Sequence, residues 1–412
     1  MKARFLAHQT LNRIFSKQEY SNIAINNTLS NSDLNDKDKR LYTQIVYGVL
    51  KNKILLDYYL RPYLEGKKLT VSMRHLLELS IYQIIFLDRV PNYAILNDAV
   101  EIAKKIDYNT SKLINAVLRN FDSENLNEPT KDEIKYSMNE WLYKQIKGQY
   151  KDEYKEILDS FEKPPKSSAR VNSLKVKRDK LINDQVLPSQ VTNTGVIFTS
   201  GNIADSNSYK NGMLTVQDEA SQLVARMLNP KKQDLVLDVC AAPGGKTTHI
   251  AEIMKNQGTI IANDIHEHKL ALIKQNADRL GLTNIEYTSN DGTKLRKIYT
   301  REHFDKILLD APCSGWGVIG RKPEIKYYQS EEKVEEIRKI QTELLEALAP
   351  LLKIDGVMVY STCTINKGEN EVQVKQFLKN NPNFELENEK MILPHENHTD
   401  GFYMAKLKKV KR

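Results

Sequence analysis

The feature that most constrains the fold is a regular alternation of short apolar runs with helical patterns from Gln217 onward. The apolar runs lie at Leu235–Val239, Thr259–Asn263, Ile285–Thr288, Lys306–Leu309 and Val357–Tyr360. Strands that alternate with helices form a parallel sheet covered on both faces, with right-handed crossovers. In such a sheet, ligands bind at the carboxyl ends of the strands. We therefore predict an α/β fold for residues 216–412 and expect functional side chains where each strand ends.

Residues 1–125 carry helical patterns and no strand signal. Asn35 can cap a helix whose apolar stripe runs from Leu41 to Leu50. The segment Val71–Leu87 is apolar around most of its circumference, which predicts a helix buried at the centre of its domain. An all-α domain is therefore expected at residues 1–125.

The region 126–215 is more polar and carries both helical and strand-like segments. Pro164-Pro165 marks a boundary within it, and strand-like runs follow at Ser168–Asn172 and Val196–Phe198. We predict a linker and a small α/β connector domain for this region.

Charge and cysteine content narrow the partners of this chain. It has 412 residues and a formal net charge of +8, which favours a polyanionic partner. The basic residues of the helical region could bind phosphates or simply be solvated: Lys37, Lys39, Arg40, Arg74 and Arg119. Its three cysteines are widely separated, so neither a disulfide framework nor a metal site is expected. The start has no secretory pattern, and the most apolar stretch is too short to cross a bilayer, so we expect a cytoplasmic protein.

A glycine-containing loop connects the first strand to the next helix. It comprises Cys240, Ala241, Ala242, Pro243, Gly244, Gly245 and Lys246. Glycines there allow a ligand to approach the backbone, and the helix offers free N–H groups. A P-loop would need glycine where Cys240 stands, and the dinucleotide fingerprint is absent. A small adenosine cofactor is the remaining ligand class.

Polar residues also end the next two strands. Asp264 follows the second strand and can accept hydrogen bonds from both hydroxyls of a ribose. Asn290-Asp291 follows the third strand, where an adenine amino group can be bound. Helix capping is the alternative role for each acid taken alone. The succession of polar strand ends favours the cofactor role.

Two cysteines follow the last two strands. Asp310 and Cys313 come after the fourth strand, and Cys363 comes after the fifth. A cysteine alone is most often a small buried apolar residue. Both of these lie past a strand end and have small or polar neighbours, which favours a role in covalent catalysis.

Several motifs together resemble the ribosomal RNA small subunit methyltransferase B family, also called Sun or Fmu, within the RNA cytosine-C5 methyltransferases. The matching stretches are DVCAAPGGKTTHIAE at 238–252, ANDIHEHKL at 262–270, SNDGTKL at 289–295, LLDAPCSGWGVIGRKPEIKY at 308–327 and YSTCTINKGENEV at 360–372. N-terminal segments such as RHLLELSIYQIIFLDRVP resemble the family's NusB-like RNA-binding domain. The resemblance covers essentially the whole chain.

The resemblance implies a Rossmann-like methyltransferase domain that depends on S-adenosylmethionine, preceded by an all-α NusB-like domain and a small α/β connector. It also implies methylation of C5 of a cytosine in 16S ribosomal RNA. In that reaction Cys363 would attack C6, Cys313 would assist release, and Asp310 would stabilise the base. The loop 240–246 would line the methionine side of the cofactor, with Asp264, Asp291 and Asp310 as acids that contact cofactor or base.

Other functions compete with this one. A transfer RNA cytosine-C5 methyltransferase would share the motifs, and a non-catalytic RNA-binding or ribosome-assembly factor could share the NusB-like region. A DNA methyltransferase would need a target-recognition region after the Thr-Cys motif, where only a short tail remains. We expect 16S ribosomal RNA as the partner before full subunit assembly, no membrane association, and a monomer.

Overall fold

The computed structural model describes residues 1–411. The chain forms two compact units. One consists of Met1–Gly148 together with Arg321–Ser330, and the other consists of Gln149–Gly320 together with the chain from Glu331 onward.

The first unit is helical. Its helices are α1 (Lys2–Lys17), α2 (Ser21–Ser30), α3 (Asp36–Leu64), α4 (Val71–Phe86), α5 (Asn92–Ile106), α6 (Tyr108–Asn120), α7 (Asp132–Lys135) and most of α8 (Glu140–Gln149). The predicted cap is confirmed, because the backbone N–H of Asp38 donates to Asn35 Oδ1 over 2.9 Å. Helix α4 is buried along most of its length, as its apolar circumference predicts. The sequence analysis missed α2 and stopped α3 too early, since α3 runs on to Leu64.

A segment from far along the chain completes this helical unit. Glu324 is buried and accepts the backbone N–H of Ser21 at 3.0 Å. Lys326 is buried as well and donates to the carbonyl of Tyr136 at 2.8 Å. The compact unit therefore includes more of the chain than the predicted domain 1–125, because the segment 321–330 supplies part of its interior.

The second unit begins with α9 (Tyr154–Glu162) and a small antiparallel sheet. The sheet has four strands in the order β2-β3-β1-β4, which are β1 (Ser167–Val171), β2 (Val186–Pro188), β3 (Gly195–Phe198) and β4 (Leu214–Val216). A short helix, α10 (Asn207–Lys210), precedes β4. The buried core of the four-stranded sheet includes Ala169, Val171, Val196 and Leu214. The strands predicted at 168–172 and 196–198 are thus confirmed.

A seven-stranded sheet forms the body of the second unit, in the order β10-β11-β9-β8-β5-β6-β7. Its strands are β5 (Leu235–Asp238), β6 (Thr259–Asn263), β7 (Ile285–Thr288), β8 (Phe304–Asp310), β9 (Leu352–Thr362), β10 (Phe384–Ile392) and β11 (Phe402–Lys409). Strands β5 to β9 pair in parallel, and β10 and β11 add antiparallel pairs at one edge. The helices of this unit are α11 (Glu219–Leu228), α12 (Gly245–Ile253), α13 (Glu267–Leu280), α15 (Glu331–Leu348), α16 (Glu371–Asn380) and α17 (Pro394–Asn397). Helix α14 (Ile325–Tyr328) belongs to the first unit.

Alternate side chains of each central strand point to opposite faces of the sheet. Val236 packs with Val224 and Ile250 of helices α11 and α12, whereas Leu237 packs with Leu344 of α15 on the other face. The predicted parallel sheet covered on both faces is confirmed.

The sequence analysis missed the antiparallel strands β10 and β11. Most side chains of β10 are exposed, so its sequence lacks the apolar signal of a buried strand. Strand β11 ends in lysines and looks like a basic tail. Its Lys409 is nevertheless buried and donates to the carbonyl of Leu352 at 2.7 Å, because a lysine stem can pack on apolar surface while its ammonium finds an acceptor.

Candidate active site

The carboxyl ends of the parallel strands bring the predicted site residues to one edge of the sheet. Asp238, Asn263 and Asp310 are the last residues of β5, β6 and β8. Because β8, β5 and β6 are adjacent, the loops that follow them face a common crevice. Cys363 directly follows β9, the neighbour of β8 on the other side.

The loop at 240–246 makes a tight turn that depends on Gly244. This residue has φ +98°, and a Cβ added to it would lie 3.0 Å from Cα of Ile273 in α13. Helix α12 begins at Gly245, so the N–H groups of its first turn have no partner within the helix. The N–H of Ala241 donates to the carbonyl of Asn263 at 2.8 Å, which fixes the loop to the next strand.

Asp264 joins two of the loops. One carboxylate oxygen accepts the N–H of Ala242 at 3.2 Å, and the other accepts the N–H of His266 at 3.0 Å. The side chain is buried, and each oxygen keeps a lone pair for a further donor. Ile265 beside it is 61% exposed, an apolar surface that the sequence analysis did not single out.

Asn263 is a buried residue of the site that the sequence analysis missed as a functional side chain. Its amide nitrogen donates to the carbonyls of Val239 and Asn290, both at 3.0 Å, and its oxygen accepts the hydroxyl of Thr288 at 3.1 Å. One amide thus connects the ends of β5, β6 and β7. An asparagine at the end of an apolar run is the signal that could have identified it.

Asp291 caps the short 3-10 helix that begins at Gly292. It accepts the N–H of Thr293 at 3.0 Å and forms an ion pair with Lys294 at 2.8 Å. The hydrogen bond from Lys294, with that from Thr293, lowers the pKa of this carboxyl to about 2. Capping, the alternative role stated for this acid, is therefore present, and contact with cofactor or base stays a prediction.

Asp238 is fully buried and precedes the predicted cofactor loop, residues 240–246. Its Oδ2 accepts the hydroxyl of Thr247 at 2.7 Å, while its Oδ1 has no hydrogen-bond partner. Burial raises the pKa of this carboxyl to about 7, and the nearby Asp310 and Asp264 add to the effect.

Lys246 forms an ion pair with Asp310, with 2.7 Å between Nζ and Oδ2. The other oxygen of Asp310 accepts the hydroxyl of Ser361 at 2.9 Å, and the ammonium also lies 4.9 Å from the ring centre of Phe402. Burial disfavours the ammonium, but Asp310, Cys363 and Asp238 outweigh it and raise the pKa of Lys246. The sequence analysis assigned Lys246 to the cofactor loop and missed this ion pair.

The sulfur atoms of Cys313 and Cys363 lie 3.4 Å apart, and both cysteines are free thiols. The hydrogen bond to Cys363 raises the pKa of Cys313 well above its ordinary value, together with burial and the charges of Glu369 and Asp310. The third cysteine, Cys240, lies in the cofactor loop, where burial raises its pKa. The structure thus brings together the two cysteines that the sequence analysis selected.

Arg170 of β1 connects the small sheet to the cofactor loop. It is buried and forms an ion pair with Glu252 at 2.8 Å, and it also donates to the carbonyl of Gly245 at 2.8 Å and to the side chain of Gln217. A buried arginine with this many acceptors fixes the start of α12.

Neither a metal-binding cluster nor a membrane-spanning helix is found in the part of the chain that the structure describes. Across residues 1–411, no group of three or more His, Cys, Asp or Glu is placed to hold a metal ion. None of the helices in that range has both the length and the apolar character needed to span a membrane.

Family comparisons match three consecutive parts of the chain. Residues 1–123 match the NusB family, and residues 138–184 match a ferredoxin-like domain described as RsmF/B-like. Residues 225–408 match the family described as 16S rRNA methyltransferase RsmB/F.

Individual proteins and structures are similar over nearly the whole chain. The probable ribosomal RNA small subunit methyltransferase B of Bacillus subtilis is 38% identical, over 98% of this chain and 98% of that protein. The crystal structure of PH0851 has a TM-score of 0.88 and 29% identity, and the match covers 99% of each chain. The structure of NSun6 from Pyrococcus horikoshii with SFG has a TM-score of 0.61 and 25% identity, covering 66% of this chain and 99% of that one.

Proposed function

Because this chain belongs to the ribosomal RNA small subunit methyltransferase B family, whose members use S-adenosylmethionine, we propose that it methylates C5 of a cytosine in 16S ribosomal RNA. The observation that supports this chemistry best is the pair of thiols 3.4 Å apart beside the Lys246–Asp310 ion pair. Methylation of a nitrogen or oxygen needs no such pair. Carbon 5 of cytosine is a poor nucleophile and must be activated by a covalent bond at C6.

Charge distribution favours Cys363 as the nucleophile and Cys313 as its partner. The ammonium of Lys246 interacts with Cys363, and a nearby cation stabilises a thiolate. The carboxylates of Glu369 and Asp310 act on Cys313 in the opposite sense and keep it protonated. This arrangement of charges suits Cys363 as the attacking sulfur and Cys313 as the thiol that keeps its proton.

The proposed reaction uses both forms. The Cys363 thiolate forms a bond to C6, and the C5–C6 electron pair moves to C5, which then takes the methyl group. Asp310 hydrogen-bonds the N3 and N4 edge of the ring and stabilises this adduct. Water then takes the C5 proton, the C5–H electron pair reforms the C5–C6 double bond, and the bond from C6 to sulfur breaks with its electron pair leaving on Cys363. Cys313 lies beside the departing sulfur, where its proton can assist release.

The residues at the cofactor loop fit S-adenosylmethionine. This cofactor supplies an electrophilic methyl group on a positively charged sulfur. The open N–H groups at the start of α12 suit its carboxylate, and Asp264 keeps lone pairs for the ribose hydroxyls. The methionine end would be surrounded by the loop 240–246, by Asp310 and by Asp238, one oxygen of which has no partner. Asp291 would lie towards the adenine base of the cofactor.

The helical unit is proposed to bind ribosomal RNA through phosphates. Lys37 and Arg40 are exposed, whereas Arg74 is paired with Asp57 at 3.0 Å and Arg119 donates to Asn115. The first two are therefore the better candidates for phosphate contacts. A target base must be unpaired or flipped out to reach the cysteines, which favours action on RNA before full subunit assembly. We propose that the protein acts as a monomer.

The two cysteines provide matched controls for a test, because each variant removes one sulfur from the same site. Purified Cys363→Ala and Cys313→Ala would be incubated with unmodified 16S ribosomal RNA and S-adenosylmethionine and run on a denaturing gel. We expect no methylation and no adduct from Cys363→Ala, and a stalled covalent adduct from Cys313→Ala. Bisulfite sequencing of RNA modified by the wild type identifies the cytosine.

A stable adduct from Cys363→Ala, with none from Cys313→Ala, would transfer the nucleophile role to Cys313. Normal methylation by both variants would reject covalent catalysis altogether.

A further inference from the structure

Glu369 is a fully buried carboxylate in the segment after β9 that the proposed reaction does not use. It accepts the backbone N–H of Ser314 at 2.9 Å, the hydroxyl of Ser314, the amide of Asn366 at 2.9 Å and the amide of Gln341 at 3.1 Å. All of these partners are donors, so the side chain is bound as an ionised carboxylate. Two of the four bonds go to the residue next to Cys313.

Gln341 holds the other neighbour of Cys313. Its amide nitrogen donates to the carbonyl of Pro312 at 2.9 Å as well as to Glu369. Its oxygen accepts the amide of Gln373 at 3.3 Å, which fixes the orientation of the amide. The residues on both sides of Cys313 are therefore bound by Glu369 and Gln341.

Asn370, the residue after Glu369, binds both neighbours of Cys363. Its Oδ1 accepts the hydroxyl of Thr362 at 2.6 Å, and its amide nitrogen donates to the carbonyl of Thr364 at 2.9 Å. This asparagine is fully buried. Glu369 and Asn370 are adjacent in sequence. The first thus binds a neighbour of Cys313, and the second binds both neighbours of Cys363.

A series of hydrogen bonds connects the Cys313 loop, which follows β8, with the Cys363 loop, which follows β9. The hydroxyl oxygen of Thr364 accepts the N–H groups of Trp316 and Asn366, at 3.3 and 3.2 Å, and lies 2.8 Å from the hydroxyl of Ser314. Since Ser314 donates to Glu369, Thr364 must donate to Ser314. The carboxylate of Glu369 thus determines which hydroxyl donates and which accepts in each of these hydrogen bonds.

We propose that Glu369 and Asn370 are positioning residues that set the spacing of the two catalytic sulfurs, Glu369 through the Cys313 loop and Asn370 through the Cys363 loop. This inference rests on the proposed roles of the two cysteines. Glu369 also helps to keep Cys313 protonated, since its charge raises the pKa of that thiol.

Glu369→Gln and Asn370→Asp provide a matched pair of isosteric exchanges. The new amide of Glu369→Gln opposes a donor of Ser314 or Gln341, which displaces the Cys313 loop. We expect release of the RNA to slow by about tenfold or more and adduct to accumulate although Cys313 is present. In Asn370→Asp the donor to Thr364 is lost, and we expect adduct formation to slow by about tenfold or more, with no accumulation.

Rates of adduct formation and release would be measured by quenched denaturing gels at saturating S-adenosylmethionine, in the full-length protein. Glu343→Gln, an exposed acid on the same helix as Gln341, is the charge control and should match wild type. Gln341→Met is a second test, which applies even if Glu369→Gln does not fold. It removes the donor to the carbonyl of Pro312 from α15, and it should also slow release. The pH dependence of release should shift to lower pH in Glu369→Gln, because Cys313 loses a nearby negative charge.

The separate rates of adduct formation and adduct release distinguish the possible outcomes. Slower formation and release in equal measure for both variants would reject distinct positioning roles and indicate a general loss of structure. Wild-type rates for Glu369→Gln together with an adduct from Cys313→Ala would overturn the positioning role and leave the proposed function intact. Absence of adduct from Cys313→Ala would overturn the proposed function, and the positioning roles with it.

Discussion

The two halves of the strand-end edge are built differently. On the cofactor side, which comprises the loops after β5, β6 and β7, each acid binds a partner two residues away, as Asp264 binds His266 and Asp291 binds Thr293. The longer bonds on this side join adjacent strand ends, as the bond from Ala242 to Asp264 does. On the cysteine side, which comprises the loops after β8 and β9, the bonds join distant segments. Lys246 reaches Asp310, and Ser314 reaches Glu369.

This difference shows which parts of a site a motif can specify alone. A loop held by its own neighbours takes its shape wherever the strand and helix around it form. A pair of sulfurs 3.4 Å apart needs several segments of the chain to be in place at once. Substitutions on the cofactor side should therefore affect cofactor binding, and those on the cysteine side should affect the chemical step.

Among substitutions that keep both sulfurs, the largest effect should come from Asp310→Asn on the cysteine side. It removes the partner of the Lys246 ammonium and the carboxylate proposed to stabilise the base. We expect kcat to fall roughly a hundredfold to a thousandfold, as when a preorganised electrostatic group is lost from an active site. Calorimetry should show only a small loss of affinity for S-adenosylmethionine, because Asp310 is one of several groups proposed around the methionine end. Weakened cofactor binding with unchanged kcat would instead place Asp310 on the cofactor side.

The opposite split is expected for Asp264→Ala. Loss of a charged acceptor for the ribose hydroxyls should weaken cofactor affinity by roughly tenfold to a hundredfold, since hydrogen bonds to charged groups contribute about 1.5–3 kcal/mol. Turnover at saturating cofactor should stay near the wild-type value. Asp278→Ala, an exposed acid on α13, is the control and should leave affinity unchanged. An affinity for Asp264→Ala equal to that of the control would remove Asp264 from the cofactor site.

The same contrast explains what the sequence could predict. The five parallel strands and the placement of Cys313 and Cys363 past strand ends follow from local patterns, and the structure bears out these placements. Neither the bond between Ser314 and Glu369 nor the Lys246–Asp310 pair has a local signature, because their partners are 55 and 64 residues apart in sequence. The segment 321–330 in the helical unit escaped prediction for the same reason.

Asp238 lies on the central strand between the two sides and offers a pH test. Its ordinary pKa of 3.8 is raised to about 7, so the folded protein binds this proton more tightly than the unfolded chain does. The associated stability is complete below pH 3.8, is lost progressively as pH rises, and is gone above about pH 7. In Asp238→Asn this part of the pH dependence should be absent.

The comparison is between the unfolding free energies of wild type and Asp238→Asn from pH 5 to 8. As pH rises towards 7, the unfolding free energy of the variant should increase relative to that of wild type by up to about 1.4 kcal/mol per pH unit. Above pH 7 the difference between the two should level off. A constant difference across the range would show that Asp238 is already ionised in the folded protein at pH 5.

The smallest effect, and the narrowest test of the cofactor side, is expected from Gly244→Ala. At φ +98° an alanine is strained, and its methyl group would lie 3.0 Å from Cα and Cγ2 of Ile273, neither of which can move without shifting α13. We expect a loss of about 1–2 kcal/mol in unfolding free energy, measured by denaturant titration, with weaker cofactor binding. Gly148→Ala is the matched control, because that glycine is helical with open space around it, and it should be neutral or slightly stabilising. The sulfur pair is held by other segments, so adduct formation by Gly244→Ala at saturating cofactor should proceed at the wild-type rate. A slower rate there would show that the turn also positions the cysteine side through Lys246, two residues further along α12.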